Sequence, residues 1–79
     1  MSRRLFYVVQ PVLAEGSRLV GGSPREYRSA REAEQAGRAL SRRASGVLVY
    51  MVEGDPEHDC WEEPELLARH GLTPDAAAG

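Results

Sequence analysis

Residues 47–52 read Val-Leu-Val-Tyr-Met-Val, six apolar side chains in succession. Valine and tyrosine favour strands, and six residues is a common strand length. Successive side chains of a strand point to opposite faces of the sheet, so this segment presents apolar groups to both faces. We therefore expect a helix to cover one face of this strand and a partner to cover the other.

A second strand is predicted at Leu5–Val9, which is also apolar on both faces. Pro11 cannot donate to a strand ladder, so it is expected at the end of this strand or at an edge. A turn and a short strand, Arg18–Val20, complete a hairpin. The simplest topology has Leu5–Val9 in the middle, with Arg18–Val20 and Val47–Val52 antiparallel to it.

The clearest local signal is the start of a helix. Ser29-Ala30-Arg31-Glu32 matches the capping box. In this motif the Ser29 side chain accepts a hydrogen bond from the Glu32 amide, and the Glu32 carboxylate accepts one from the Ser29 amide. Small side chains then recur at steps of three and four residues, and Gly46 is the expected C-terminal stop. This stripe consists of Ala30, Ala33, Gly37, Leu40 and Ala44. It permits close approach to a sheet but buries little apolar area.

The C-terminal third begins with a turn at Gly54–Pro56. Residues Asp59–Glu62 could form a fourth strand, and Pro64 suits the first turn of a short helix, Glu65–His70. The prediction is one α+β domain over residues 1–72 with a disordered tail at 73–79. Its sheet has three or four antiparallel strands in the order β-β-α-β. The main helix packs on one face, and a short helix follows at the C-terminal end.

Composition indicates a small protein of the cytoplasm. Among the 79 residues, Cys60 is the single cysteine and cannot form a disulfide within the chain. No stretch approaches the roughly 20 apolar residues of a membrane helix. Ser2–Phe6 has the look of a twin-arginine export signal, but Gln10 and Pro11 interrupt the apolar run that such a signal requires.

The net charge of −2 conceals a division between the two parts of the chain. Residues 1–46 carry nine Arg against four Glu, a net charge of +5, whereas residues 47–79 carry one Arg against eight acidic residues, a net charge of −7. Such asymmetry indicates either two partner surfaces or two parts that attract each other. We favour the second interpretation.

The acidic segment contains candidate metal ligands in His58, Asp59 and Cys60. The paired spacing of zinc motifs is absent, and a solvated acidic turn is the simpler interpretation. Cys60 with His58 or His70 has the residue types of a thiolate pair, but no orienting group or oxyanion site accompanies it. The sequence therefore predicts neither an enzyme nor a cofactor.

Two groups of residues are candidates for partner binding. Arg31, Arg38 and Arg42 share one flank of the helix and could neutralise phosphates, although the isoelectric point of about 5.6 is low for a nucleic-acid-binding protein. The alternative is a solvated helix face paired with the acidic segment. Trp61, with Leu66 and Leu67 beside it, could anchor a protein partner or cover the domain's own core.

Gly54-Asp55-Pro56, Glu62-Glu63-Pro64 and Leu67–Gly71 resemble the closing segment of a group of short uncharacterised bacterial proteins, chiefly alphaproteobacterial. The front half is also similar, with Val-Gln-Pro in the first strand, a glycine-rich turn and the helix start Ser29–Ala33. The resemblance covers most of residues 5–72. It implies a shared stable fold and no particular function, and it places Cys60 in a variable turn.

These observations predict a small non-enzymatic protein-interaction module that forms a homodimer through the uncovered sheet face, which carries either Phe6, Val8 and Leu48 or the residues that alternate with them. A nucleic-acid-binding accessory protein using the helix arginines is the first alternative. A metal site around His58 and Cys60 is the second.

Overall fold

The computed structural model describes residues 3–73, which form six strands and one helix. In chain order these are β1 (Arg4–Glu15), β2 (Arg18–Gly21), β3 (Arg25–Tyr27), α1 (Ala30–Leu40), β4 (Gly46–Asp55), β5 (Cys60–Trp61) and β6 (Glu65–Gly71). No helix in this part of the chain is long and apolar enough to cross a membrane. The predicted tail lies, apart from Thr73, outside the described residues.

All six strands belong to one antiparallel sheet with β1 and β4 at its centre. Their pairing runs from Arg4 opposite Gly54 to Val12 opposite Gly46. β2 and β3 pair with successive parts of β1, and β5 and β6 pair with successive parts of β4. The sheet is therefore four strands wide. Each edge consists of two short strands in line, separated by a break, and we call each such pair a return strand: β2 with β3, and β5 with β6.

The two halves of the sheet follow the same plan. Each return strand breaks just before a proline, Pro24 in the first half and Pro64 in the second, since proline cannot donate to the ladder. Two residues before each proline, a backbone amide bonds to the long strand: Gly22 N to the Pro11 oxygen at 2.9 Å, and Glu62 N to the Glu53 oxygen at 2.8 Å. The sequences of the halves differ, so this internal repeat is visible only in the structure.

The helix α1 begins where the capping signal predicts. The Glu32 amide donates to the Ser29 side chain at 3.1 Å. The helix ends at Leu40, with Ser41 as its C-terminal cap, several residues before the predicted stop. The amides of Arg43 and Ala44 both donate to the Leu40 oxygen, so the chain already turns there, and Gly46 instead begins β4.

The core lies between α1 and the two central strands. Val9, Val47 and Val49 are fully buried against Ala33, and a Cβ at Gly37 would overlap the Val49 side chain. The small-residue stripe of the helix therefore works as predicted: it lets the backbone of α1 approach the sheet closely. This core is thin: of the six buried hydrophobic side chains among the described residues, four form the cluster under the helix, and Phe6 and Val12 lie outside it.

The predicted sheet of three or four strands with a second, C-terminal helix is wrong. Glu65–Gly71 is strand β6, which pairs with β4 from Gly46 to Met51 and contains a bulge at Leu67. The short edge strand β3 was also not expected. The Leu-Leu-Ala-Arg run of β6 favours helix locally, but pairing with the exposed edge of β4 satisfies a longer row of backbone groups and overrides that propensity.

Candidate functional site: the open face of the sheet

One face of the sheet carries α1 and the other carries no secondary-structure element among residues 3–73. Val47 and Val49 lie under the helix, so Leu48 and Tyr50 point away from it. We call the uncovered side the open face. Its apolar side chains come from β1, β4, β5 and β6: Phe6, Val8, Leu48, Tyr50, Val52, Trp61 and Leu66. Of the two alternatives that the sequence left open, the structure has Phe6, Val8 and Leu48 on the uncovered face.

The centre of the open face is a shallow hollow of about 330 Å³. Phe6 is buried at its base, and the Trp61 ring packs against Phe6 with centroids 5.4 Å apart and planes inclined at 56°. Val8, Pro24, Tyr50 and Val52 complete the apolar lining. Trp61 remains 48% exposed, so the hollow presents a large aromatic surface to solvent.

The orientation of Trp61 is fixed by its neighbours. Its indole Nε1 donates to Asp59 Oδ1 at 2.8 Å, and Asp59 holds a left-handed backbone conformation with φ 52°. The ring lies over Gly54, the cross-strand partner of Trp61, where any Cβ would collide with the indole. A rigid aromatic group loses little conformational entropy when it is covered, so this geometry suits a contact surface.

Charged side chains mark the margins of the open face. Glu26 on β3 is the cross-strand partner of Val8, and Arg69 on β6 is the cross-strand partner of Leu48, so both side chains project on the open side. The Arg4 guanidinium lies 4.7 Å from the centre of the Phe6 ring. An apolar centre with a charged margin is the usual composition of a protein contact surface.

The acidic turn separates the three predicted metal ligands. Asp59 accepts the Trp61 bond, and the Cys60 thiol is 3.5 Å from the His58 backbone oxygen. The grouping that the structure brings together is Asp55, Glu57 and His58, whose ligand atoms lie within 4.8 Å of one another. The simpler interpretation, a solvated turn, accounts for this geometry without an ion.

The Asp55 carboxylate closes that turn. It is 5% exposed, and its two oxygens accept from the Glu57 amide at 3.0 Å and from His58 Nδ1 at 2.8 Å. Because both oxygens are already bonded within the chain, the buried carboxylate is stabilised without a metal. The side chains of Glu57 and His58 are exposed.

The helix arginines Arg31, Arg38 and Arg42 are exposed, and none forms an ion pair with a residue of the described chain. The acidic segment instead pairs with Arg3, which approaches Glu62 at 2.7 Å and Glu53 at 3.6 Å. The pKa of Arg3 is raised, first by its hydrogen bond to Glu62 and further by the charges of both carboxylates. The expected pairing of the helix face with the acidic segment is thus not what the structure shows.

The predicted partner-binding residues do not form one site. Trp61 lies on the open face, whereas Leu67 packs against the core cluster beneath α1. Arg31 and Arg38 lie on the exposed surface of α1, and Arg42 lies in the turn that follows the helix. Leu66, predicted with Trp61 and Leu67, lies on the open face. Glu26 and Arg69 also belong to the open face but were missed, because their strands, β3 and β6, were not predicted.

Comparisons of this chain with protein-family models, with curated proteins and with solved structures give no match. The resemblance to the short bacterial proteins stays a prediction. Any function must therefore be argued from the open face and the helix surface themselves.

Proposed function

We propose that this chain is a small non-enzymatic interaction module that self-associates through the open face. The observation that carries the proposal is the contiguity of seven apolar side chains on a sheet whose single helix covers the opposite face. Domains are commonly built of packed layers that bury each apolar face of a sheet. In this chain, a second copy supplies the missing layer.

The thin core supports the same proposal. A chain of 79 residues buries only about 60–65% of the surface of its extended form, and small domains gain stability from oligomerisation. The largest fully buried side chains are three valines, Val9, Val47 and Val49. Covering Tyr50, Trp61 and Leu66 with a second copy adds larger apolar groups than the monomer buries under its helix.

The size of the open face sets the expected strength of association. Four strands at about 4.8 Å spacing and six residues at about 3.4 Å give a flat footprint of roughly 400 Å². A standard interface buries about 800 Å² of accessible surface per partner. Projecting side chains make the accessible area larger than the footprint, so we expect a weak, concentration-dependent dimer.

Sedimentation velocity across a series from low micromolar to near-millimolar chain tests the proposal. Wild-type protein should pass from monomer to dimer. Val8→Glu in the centre of the face, and Leu66→Glu at its more exposed margin, should remain monomeric over the same range. Leu13→Glu is the matched control, because Leu13 is 42% exposed and lies outside the open face.

Circular dichroism of each variant establishes that the fold is retained, and Leu66→Glu decides the question if Val8→Glu does not fold. Monomeric wild-type protein at every concentration would overturn the proposal. Equal association of Leu66→Glu and wild type would overturn it as well.

Binding of nucleic acid is a second candidate function, favoured by the exposure of Arg31, Arg38 and Arg42 and by their freedom from ion pairs within residues 3–73. If these side chains contact phosphates, affinity for labelled RNA or DNA should fall steeply with salt, with a slope of about 0.9 per phosphate contact on duplex DNA. Fluorescence anisotropy measures the affinity and its salt dependence. It compares the wild type with a variant in which all three arginines are changed to Gln, and with Arg18→Gln as control. No binding at low salt rejects the candidate.

A further inference from the structure

Glu26 and Arg69 are opposite charges at opposite edges of the open face. Glu26 flanks Val8 on the β3 edge, and Arg69 flanks Leu48 on the β6 edge. The two central strands lie between them, so their backbones are about 14 Å apart across the sheet. Along the strands they are offset by two residues, or about 7 Å.

We infer that two copies pack open face against open face about a two-fold axis parallel to β1 and β4, which places Glu26 of each copy on the same edge of the interface as the partner's Arg69, two residues apart along the strands. The inference rests on the proposed self-association and specifies its orientation. Rotation about this axis exchanges the two edges of the sheet, so the β3 edge of one copy meets the β6 edge of the other. The contact forms twice, as the symmetry of an isologous interface requires.

The alternative face-to-face arrangement has its two-fold axis across the strands. It places the β3 edges together and the β6 edges together, so that Glu26 faces the partner's Glu26 and Arg69 faces the partner's Arg69. Like charges in opposition are unfavourable, whereas opposite charges steer and align the partner. The charges at the margins therefore select the first arrangement.

Arg25 also lines the hollow, but it is the cross-strand partner of Val9, so its side chain leaves β3 toward the helix side of the sheet. The other charge of the open face lies further from the centre. Arg4 covers the Phe6 ring at the end of the face where β1 begins. Aligned sheets pack with their strands rotated by about 30°, which separates the ends of the two faces more than their centres. Two copies of Arg4 are consequently more solvated than the pairs formed by Glu26 and Arg69.

Exposed ion pairs contribute little to affinity, whereas like charges brought together at an interface weaken binding strongly. The test is therefore a charge exchange. Glu26→Arg alone would place two arginines together at both contacts, and Arg69→Glu alone would place two glutamates together. The double variant restores opposite charges with the signs reversed. A mixture of the two single variants also restores them, in a heterodimer.

Sedimentation equilibrium of the full chain gives the dissociation constant of each species. We expect each single variant to associate at least about tenfold more weakly than wild type, and the double variant and the mixture to recover to within about threefold. Glu34→Arg and Arg38→Glu on the outer surface of α1 change the net charge by the same amounts and should leave the constant unchanged.

The outcomes separate the two levels of the proposal. Wild-type protein that stays monomeric overturns both the self-association and its orientation. Wild-type dimers with single variants that associate equally well overturn the orientation alone, since that result is expected when Glu26 and Arg69 face their own counterparts or face solvent. Failure of the double variant to recover also overturns the orientation. Circular dichroism confirms folding, and both side chains are exposed.

Discussion

The Trp61 indole packs on the Phe6 ring with centroids 5.4 Å apart. Phe6 belongs to β1 and Trp61 to β5, and the long strand β4 lies between these two strands. The contact therefore spans a strand and ties the short hairpin β4–β5 to the centre of the sheet. It also forms one wall of the hollow in the open face.

Removing the indole should loosen the hairpin. An aromatic pair contributes about 0.5–1.5 kcal/mol beyond its buried area, and half of the Trp61 surface is buried, so we expect Trp61→Ala to lower the free energy of unfolding by about 1–2 kcal/mol. Trp61→Phe keeps a ring and loses only the bond to Asp59, so its loss should be smaller. Urea unfolding followed by circular dichroism measures both. Equal losses would show that the ring contact is unimportant.

Gly37→Ala provides a test of the close approach between α1 and β4. In an exposed helix this change normally stabilises by up to about 1 kcal/mol. Here the new Cβ would overlap the Val49 side chain, so we expect a net loss of about 1–3 kcal/mol. Gln35→Ala on the exposed surface of the same helix is the control and should change stability little. A stabilised Gly37→Ala protein would contradict the packing described.

Local signals in the sequence predicted the elements whose formation depends on a few neighbouring residues. The Ser29–Glu32 box gave the start of α1, because the capping bond is made within one turn. The apolar runs 5–9 and 47–52 predicted the two central strands. A strand with apolar side chains on both faces has an uninterrupted apolar sequence, which can be recognised without knowing its partners.

The strands that were missed depend on pairing rather than on their own residues. β3 has three residues, Arg-Glu-Tyr, with no apolar alternation, and β6 contains good helix formers. Both form because each continues a return strand beyond a proline break. The margins of the open face lie on these two strands, so Glu26 and Arg69 had no signal in the sequence that linked them to it.

Asp55 should be the residue of the acidic turn that matters most for stability. Asp55→Ala removes the acceptor of the Glu57 amide and of the His58 ring, and each lost hydrogen bond contributes about 0.5–1.5 kcal/mol net because the exposed donors can bond to water instead. Asp55→Asn keeps one side-chain oxygen and should lose less. Glu57→Gln alters an exposed side chain and should be nearly neutral. Thermal unfolding of the three variants at equal concentration measures the order, and a neutral Asp55→Ala would refute it.

Leu66 and Leu67 distinguish the strand from the predicted helix at Glu65–His70. In the structure Leu67 packs against the core cluster beneath α1, whereas Leu66 lies on the open face and is 44% exposed. Leu67 is partly buried, so Leu67→Ala should lower the free energy of unfolding by about 1–2 kcal/mol, below the 2–5 kcal/mol range of fully buried leucines.

Leu66→Ala should lower the free energy of unfolding of the dilute monomer by about 0.5–1 kcal/mol, less than Leu67→Ala, because Leu66 is already 44% exposed. At high concentration the order of the effects should reverse in a second assay: Leu66→Ala should weaken self-association, and Leu67→Ala should not. Urea unfolding at low concentration and sedimentation at high concentration supply the two readouts. Equal losses of stability in the two variants would contradict the placement of neighbouring side chains on opposite sides of the sheet.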